Sequence, residues 1–126
     1  MYSVELDPSQ RLLVISAAQH VSAAEARAVV EELRTLLQPI APGFRVLADF
    51  RWLQSMEPAA AQYIAEIMDL LVERKVASVA RVMPDPHKDI GFNILSQFHY
   101  GPEIQVETFE RLADAISALM EQALSS

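Results

Sequence analysis

Between residues 85 and 89 the chain reads Asp85-Pro86-His87-Lys88-Asp89, two carboxylates, an imidazole and an ammonium within five residues. Carboxylate and imidazole groups are common zinc ligands and common proton carriers in acid–base catalysis. For Asp85, His87 and Asp89 to point to one side the segment must be extended, because alternation of side chains belongs to period two. Pro84 and Pro86 interrupt it, however, and a helical pattern follows. Asp85 is therefore expected as the N-cap of that helix, and Asp89 as a first-turn acid complementing the helix dipole. No second histidine stands nearby, whereas zinc sites gather three or four ligands. Neither a metal nor any other cofactor is expected.

Nucleophilic chemistry has as little support. Cysteine is absent, which removes thiolate nucleophiles, thiolate ligands and disulfides together and fits a reducing compartment. The chain has no Gly-x-Ser-x-Gly elbow and no obvious Ser–His–acid arrangement, and its three glycines form no phosphate-cradling loop. His20 reads as an exposed loop residue. His99 reads as part of a small aromatic cluster with Phe98 and Tyr100 that closes a helix. The chain is not expected to be an enzyme.

The elements that position these residues follow from the apolar pattern. Tyr2 to Leu6 and Leu12 to Ala17 are short apolar-rich runs joined by Asp7-Pro8-Ser9-Gln10, which predicts a hairpin. Ser22-Ala23-Ala24-Glu25 has the capping-box spacing, and Ala26, Val29, Val30, Leu33, Leu36 and Leu37 then recur at helical intervals until Pro39. Phe44 to Phe50 predicts a strand, followed by a loop carrying Trp52 and Ser55. Pro58 is placed to open a second helix with Ala61, Ile64, Ile67, Met68, Leu71 and Val72 inward. Val76 to Met83, mostly small and β-branched, predicts a strand buried on both faces. A third helix is expected from about His87 to Phe98, then a short strand through Ile104, Val106 and Thr108. The closing helix is expected to bury Leu112, Ala115, Ile116, Leu119 and Met120. The order β-β-α-β-α-β-α-β-α predicts an α/β fold: a mostly parallel five-stranded sheet with an antiparallel edge strand, in one domain over 1–126.

Composition narrows the partners. The formal charge is −7, and the ten basic residues are scattered apart from Arg74-Lys75. Nucleic acids and anionic membranes select clustered cations, so neither is expected as a partner. The opening residues lack the apolar core of a signal peptide, and no run approaches the roughly 20 apolar residues of a membrane span. A cytoplasmic location is expected.

In a parallel sheet the strands' carboxyl ends share one edge, where ligands tend to bind. The loops after the second, third and fourth strands bring Asp49, Arg51, Glu57, His87, Lys88 and Asp89 toward that edge. They would form either a polar recognition patch for a partner loop or a phosphate-bearing ligand, or an ordinary set of caps and surface ion pairs. Gln62, Glu66, Asp69 and Glu73 recur at spacings of four, three and four on the second helix, an acidic stripe opposite its apolar face. Like charges so spaced slightly destabilise a helix, so the stripe serves either solvation or the steering of a basic partner.

The element order, with Leu47-Ala48-Asp49-Phe50-Arg51-Trp52-Leu53 leading through Ser55-Met56-Glu57-Pro58-Ala59-Ala60 into a helix, resembles the STAS domains, the anti-sigma factor antagonist fold. In that family an Asp-Ser-Ser-Gly-like motif opens the second helix, and its second serine is phosphorylated by a partner kinase. Glu57, Pro58, Ala59 and Ala60 occupy the matching positions here, so the phosphoacceptor place holds Ala59. Ser55, the nearest hydroxyl, lies four residues earlier. Ile90 to Tyr100 is unlike typical members, so the chain resembles a divergent bacterial branch close to the SpoIIAA-like proteins.

The resemblance implies a non-catalytic regulatory module that binds a protein partner or a second copy of itself, with the second helix beside the partner surface. The alternative is a carrier of a small apolar or anionic ligand, of STAS or SEC14-like type. Ile90, Phe92, Ile94, Leu95 and Phe98 make the third helix apolar around more than one face, which suits either reading.

Overall fold

The structure, a computed structural model, describes residues 1–125. Its elements are β1 (Tyr2–Asp7), β2 (Leu12–Val21), α1 (Ala23–Leu36), β3 (Arg45–Met56), a 3₁₀ turn (Pro58–Ala60), α2 (Ala61–Glu73), β4 (Ser78–Val82), α3 (Pro86–His99), β5 (Gln105–Phe109) and α4 (Leu112–Ser125). The five strands lie in the order β1-β2-β3-β4-β5, with β1 antiparallel to β2 and all other pairs parallel. The expected α/β architecture is present.

Local chemistry explains where the elements begin. At the hairpin, Asp7 Oδ1 accepts from the Ser9 hydroxyl at 2.7 Å and from the Ser9 and Gln10 amides, and Arg11 turns the chain at φ 52°. Ahead of α1 the Ser22 hydroxyl accepts from the Glu25 amide, while the Glu25 carboxylate accepts from the Ser22 amide, each at 3.1 Å. Two amides without helical partners are thereby satisfied. Asp85 caps α3 by accepting from the His87 amide at 3.0 Å, as its position before Pro86 predicts.

The connections from β2 to β5 each step to the next strand in the same direction. Right-handed crossovers then place α1, α2 and α3 on one face. The principal core lies under them, with Leu13, Val30, Leu33, Leu37, Phe44, Val46 and Leu71 fully or almost fully buried. Each such aliphatic or aromatic side chain stabilises the fold by about 1.5–3 kcal/mol relative to exposure. The other face is covered by α4, whose Ala115 and Leu119 pack on Leu47, Ala80 and Val82.

Three expectations about the elements need correction. Strands β2 and β3 run several residues beyond their expected ends. Register shifts at Ser16/Ala18 and Gln19/His20 bend the pair, and Ala18–Val21 continues beside Trp52–Met56 as a ribbon past the shorter β4 and β5. Trp52, Ser55 and His20 are therefore strand residues rather than loop residues. Ile116 and Met120 stay 41% and 60% exposed, because α4 lies on the sheet along the narrow line of Leu112, Ala115 and Leu119. In α2, Leu70 is buried and Ala61 exposed, since the 3₁₀ turn delays the regular helix to Ala61.

A candidate interaction surface at helices α2 and α3

The carboxyl edge brings together only some of the residues that topology directs to it. Asp49 and Arg51 face each other: Arg51 Nε and Nη2 donate to the two carboxylate oxygens at 3.0 Å, and the Arg51 amide adds a third bond at 3.2 Å. The bonds to Asp49, ahead of the opposing cost of burial, hold the Arg51 guanidinium above its ordinary basicity. Its guanidinium carbon also lies 5.7 Å from the centre of the exposed Trp52 ring. Lys88 reaches across to donate from Nζ to the Leu53 carbonyl at 2.9 Å. His87 is exposed at the first turn of α3, and Glu57 is exposed ahead of the 3₁₀ turn, tied by its amide to the Val21 carbonyl.

Sequence reasoning missed one contact here. Ser55 Oγ and His20 Nδ1 lie 2.7 Å apart on paired positions of β3 and β2. Their separation of 35 residues becomes a contact only because both strands extend into the ribbon. Ser55 and His20 are both exposed.

Asp89 departs most from expectation. It does not face solvent at the edge but turns inward, 5% exposed, and accepts from Arg81 Nε at 3.1 Å. Arg81 is the penultimate residue of the buried strand β4, at 2% exposure, and it also donates from Nη1 to Ser96 Oγ at 2.9 Å and from Nη2 to Asn93 Oδ1 at 2.7 Å. Asn93 Nδ2 in turn donates to Asp89 Oδ2 at 3.0 Å. Burying a cation demands such a cage, because an unpaired charge inside costs several kcal/mol. The Phe92 ring, stacked on Phe50 with centroids 4.9 Å apart, lies 5.6 Å from the Arg81 guanidinium carbon. The signal in the sequence was a lone arginine within an apolar strand, followed by Asp89, Asn93 and Ser96 at helical spacing.

This cage decides how α3 is oriented. The helix turns its polar residues toward the sheet, so its apolar residues divide: Phe92 is buried and Leu95 partly so, while Ile90, Ile94 and Phe98 are 55%, 51% and 82% exposed. On the neighbouring helix α2, Gln62, Glu66, Asp69 and Glu73 are all exposed, as their spacing predicts. Asp69 Oδ1 meets His99 Nδ1 at 2.8 Å and ties the two helices together. Between them runs an apolar groove of about 340 Å³, lined by Ile64, Phe92, Ile94 and Leu95, with Glu57 and Lys88 at its polar end.

Under the helices the core holds an apolar cavity of about 70 Å³, bordered by Phe50, Met68, Phe92, Arg81 and Tyr100. Burial, more than the nearby charges, raises the Tyr100 phenol well above its ordinary pKa, so it stays neutral. An apolar cavity of about 150 Å³ holds a molecule the size of benzene. At half that size this one has no room for a lipid chain. Among the described residues no three His, Cys, Asp or Glu side chains converge as a metal site, and no helix is long and apolar enough to cross a membrane.

The fold is SpoIIAA-like, the class of the anti-sigma factor antagonists. No protein-family model matches the chain, and no curated protein matches it by sequence. An uncharacterised protein of the DUF3478 family from Shewanella loihica PV-4, with a SpoIIAA-like fold, superposes at a TM-score of 0.69 with 19% identity, over 94% of this chain and 93% of that one. The anti-sigma factor antagonist SpoIIAA in its unphosphorylated form superposes at 0.62 with 14% identity, over 95% and 98%. An anti-sigma factor antagonist from Mycobacterium paratuberculosis superposes at 0.58 with 14% identity, over 95% of each chain.

Proposed function

We propose that the chain is a non-catalytic regulatory interaction module that binds a protein partner through the paired faces of α2 and α3. One observation carries this reading: the neighbouring helices α2 and α3, joined by the Asp69–His99 contact, leave Ile90, Ile94 and Phe98 exposed on one and Glu66, Asp69 and Glu73 exposed on the other. An apolar strip supplies area to bury, and the flanking acids steer a partner of opposite charge and fix its register. The similarity of fold to anti-sigma factor antagonists supports a protein partner over a substrate. It does not bring their phosphorylation with it. Ala59, at the place where the family's phosphoacceptor stands, has no hydroxyl. The module therefore binds without that switch, in the cytoplasm. The carrier alternative has less support, since the core cavity is only about 70 Å³.

Charge reversal tests the reading. The double variant Glu66→Lys, Glu73→Lys leaves the fold intact, because both side chains are exposed and the Asp69–His99 contact is kept, and it reduces capture of the partner recovered by the wild-type protein about tenfold or more. Equal capture by the two proteins would remove the acidic face from the interface.

A further inference from the structure

At the opposite edge, where the parallel strands begin, a polar cleft of about 550 Å³ opens between the β1–β2 turn, the starts of β3, β4 and β5, and the last turns of α4. Its size falls in the range of small-molecule sites, roughly 300–1,000 Å³. Ser9, Arg11, Arg45, Ser78, Gln105 and Gln122 contribute to its walls, and among the described residues no carboxylate does. In a chain with 17 acidic residues against 10 basic ones, that is a local reversal of charge.

The two guanidiniums are held without being neutralised. Arg45 donates from Nη1 to the Leu119 carbonyl and from Nη2 to the Gln10 carbonyl at 2.7 Å, and Arg11 donates from Nη2 to the Pro42 carbonyl. Neither forms an ion pair among the described residues. Each guanidinium has five N–H donors, so these contacts orient both groups and leave donors for a ligand. The backbone joins them as well, the Arg45 amide donating to the Arg11 carbonyl at 2.9 Å. Gly43, at φ +89°, makes room: a Cβ there would lie 2.8 Å from Arg11 Nη2. Deeper in, the buried Ser78 hydroxyl donates to Gln122 Oε1 at 2.6 Å and fixes that amide in the wall.

We propose that this cleft binds a small phosphate monoester. Guanidinium forks match phosphate oxygens in geometry, and two of them facing one opening match a group of charge about −1.5 to −2 better than a single carboxylate. The site is separate from the α2–α3 surface and stands whether or not that surface binds a protein.

Isothermal titration of the whole protein at low ionic strength, with inorganic phosphate, glycerol 3-phosphate and acetate, tests it. Saturable binding of the two phosphates and none of acetate is expected. Arg11→Gln should weaken glycerol 3-phosphate by about tenfold, as loss of a charge-assisted bond does. Gln105→Glu, on the exposed edge strand, should weaken it comparably by placing a carboxylate in the wall, and neither variant should lower the melting temperature appreciably. Absence of saturable phosphate binding, acetate binding as tight as phosphate, or unchanged affinity in both variants would overturn the assignment.

Discussion

At the carboxyl end of the sheet Arg51 meets Asp49 at 3.0 Å and Arg81 meets Asp89 at 3.1 Å, whereas at the amino end Arg11 and Arg45 rest on carbonyl oxygens. The same side-chain type thus serves two purposes. Where carboxylates lie within reach, the cations are spent on holding β3, β4 and α3 in place. Where only carbonyls lie within reach, they are positioned but keep their charge. General expectation for parallel sheets points to the carboxyl edge for ligands. Here that edge is largely satisfied internally, and the two surfaces proposed for binding lie elsewhere, on the α2–α3 faces and in the amino-edge cleft.

The buried pair is where this comparison is most easily broken. Asp89→Ala leaves Arg81 without its carboxylate in the core and is expected to cost about 3–5 kcal/mol in urea unfolding. Replacing both partners by leucine is expected to restore much of that loss, because no buried charge then remains. A loss below 1 kcal/mol in the single variant would mean that Asn93 and Ser96 suffice to hold the cation. Asp49→Asn removes a pair that water partly reaches and is expected to cost about 1 kcal/mol or less in the same measurement. A cost matching that of Asp89→Ala would erase the distinction between the core pair and the edge pair.

The smallest effect belongs to the amino edge. The Ser9 hydroxyl, and after it the Gln10 amide, hold the Asp7 carboxyl below its ordinary value of 3.8. A carboxyl depressed in the folded state adds stability that is present above its unfolded pKa and is lost as pH falls through the folded one. Asp7→Asn should therefore lower stability slightly near neutrality, with the difference from the wild type shrinking as pH falls below about 4. An equal change at pH 7 and pH 3 would contradict that sign.

Much of this was legible in local sequence. The capping box at Ser22, the N-cap at Asp85 and the acidic stripe from Gln62 to Glu73 depend on spacings of three or four residues, and each is found where spacing puts it. Contacts that require knowing where strands end were not legible. His20 and Ser55 meet because two bulges carry β2 and β3 beyond their apolar runs, and those bulges leave no compositional mark. Asp89 reads as a surface acid until Arg81 is placed on the strand beneath it, 8 residues earlier in sequence. The amino-edge cleft joins the hairpin, three strand starts and the end of α4, five segments that no local pattern links.

Zero-length carbodiimide cross-linking in native extract, followed by peptide mapping, tests the partner surface most directly, because it joins carboxylates to lysines of a bound protein. Cross-links to one recurrent partner are expected to concentrate on Glu66, Asp69 and Glu73 of α2 and to vanish when Ile94 and Phe98 are changed to Asp. Cross-links centred on α4, or α2 cross-links that survive those two substitutions, would contradict it.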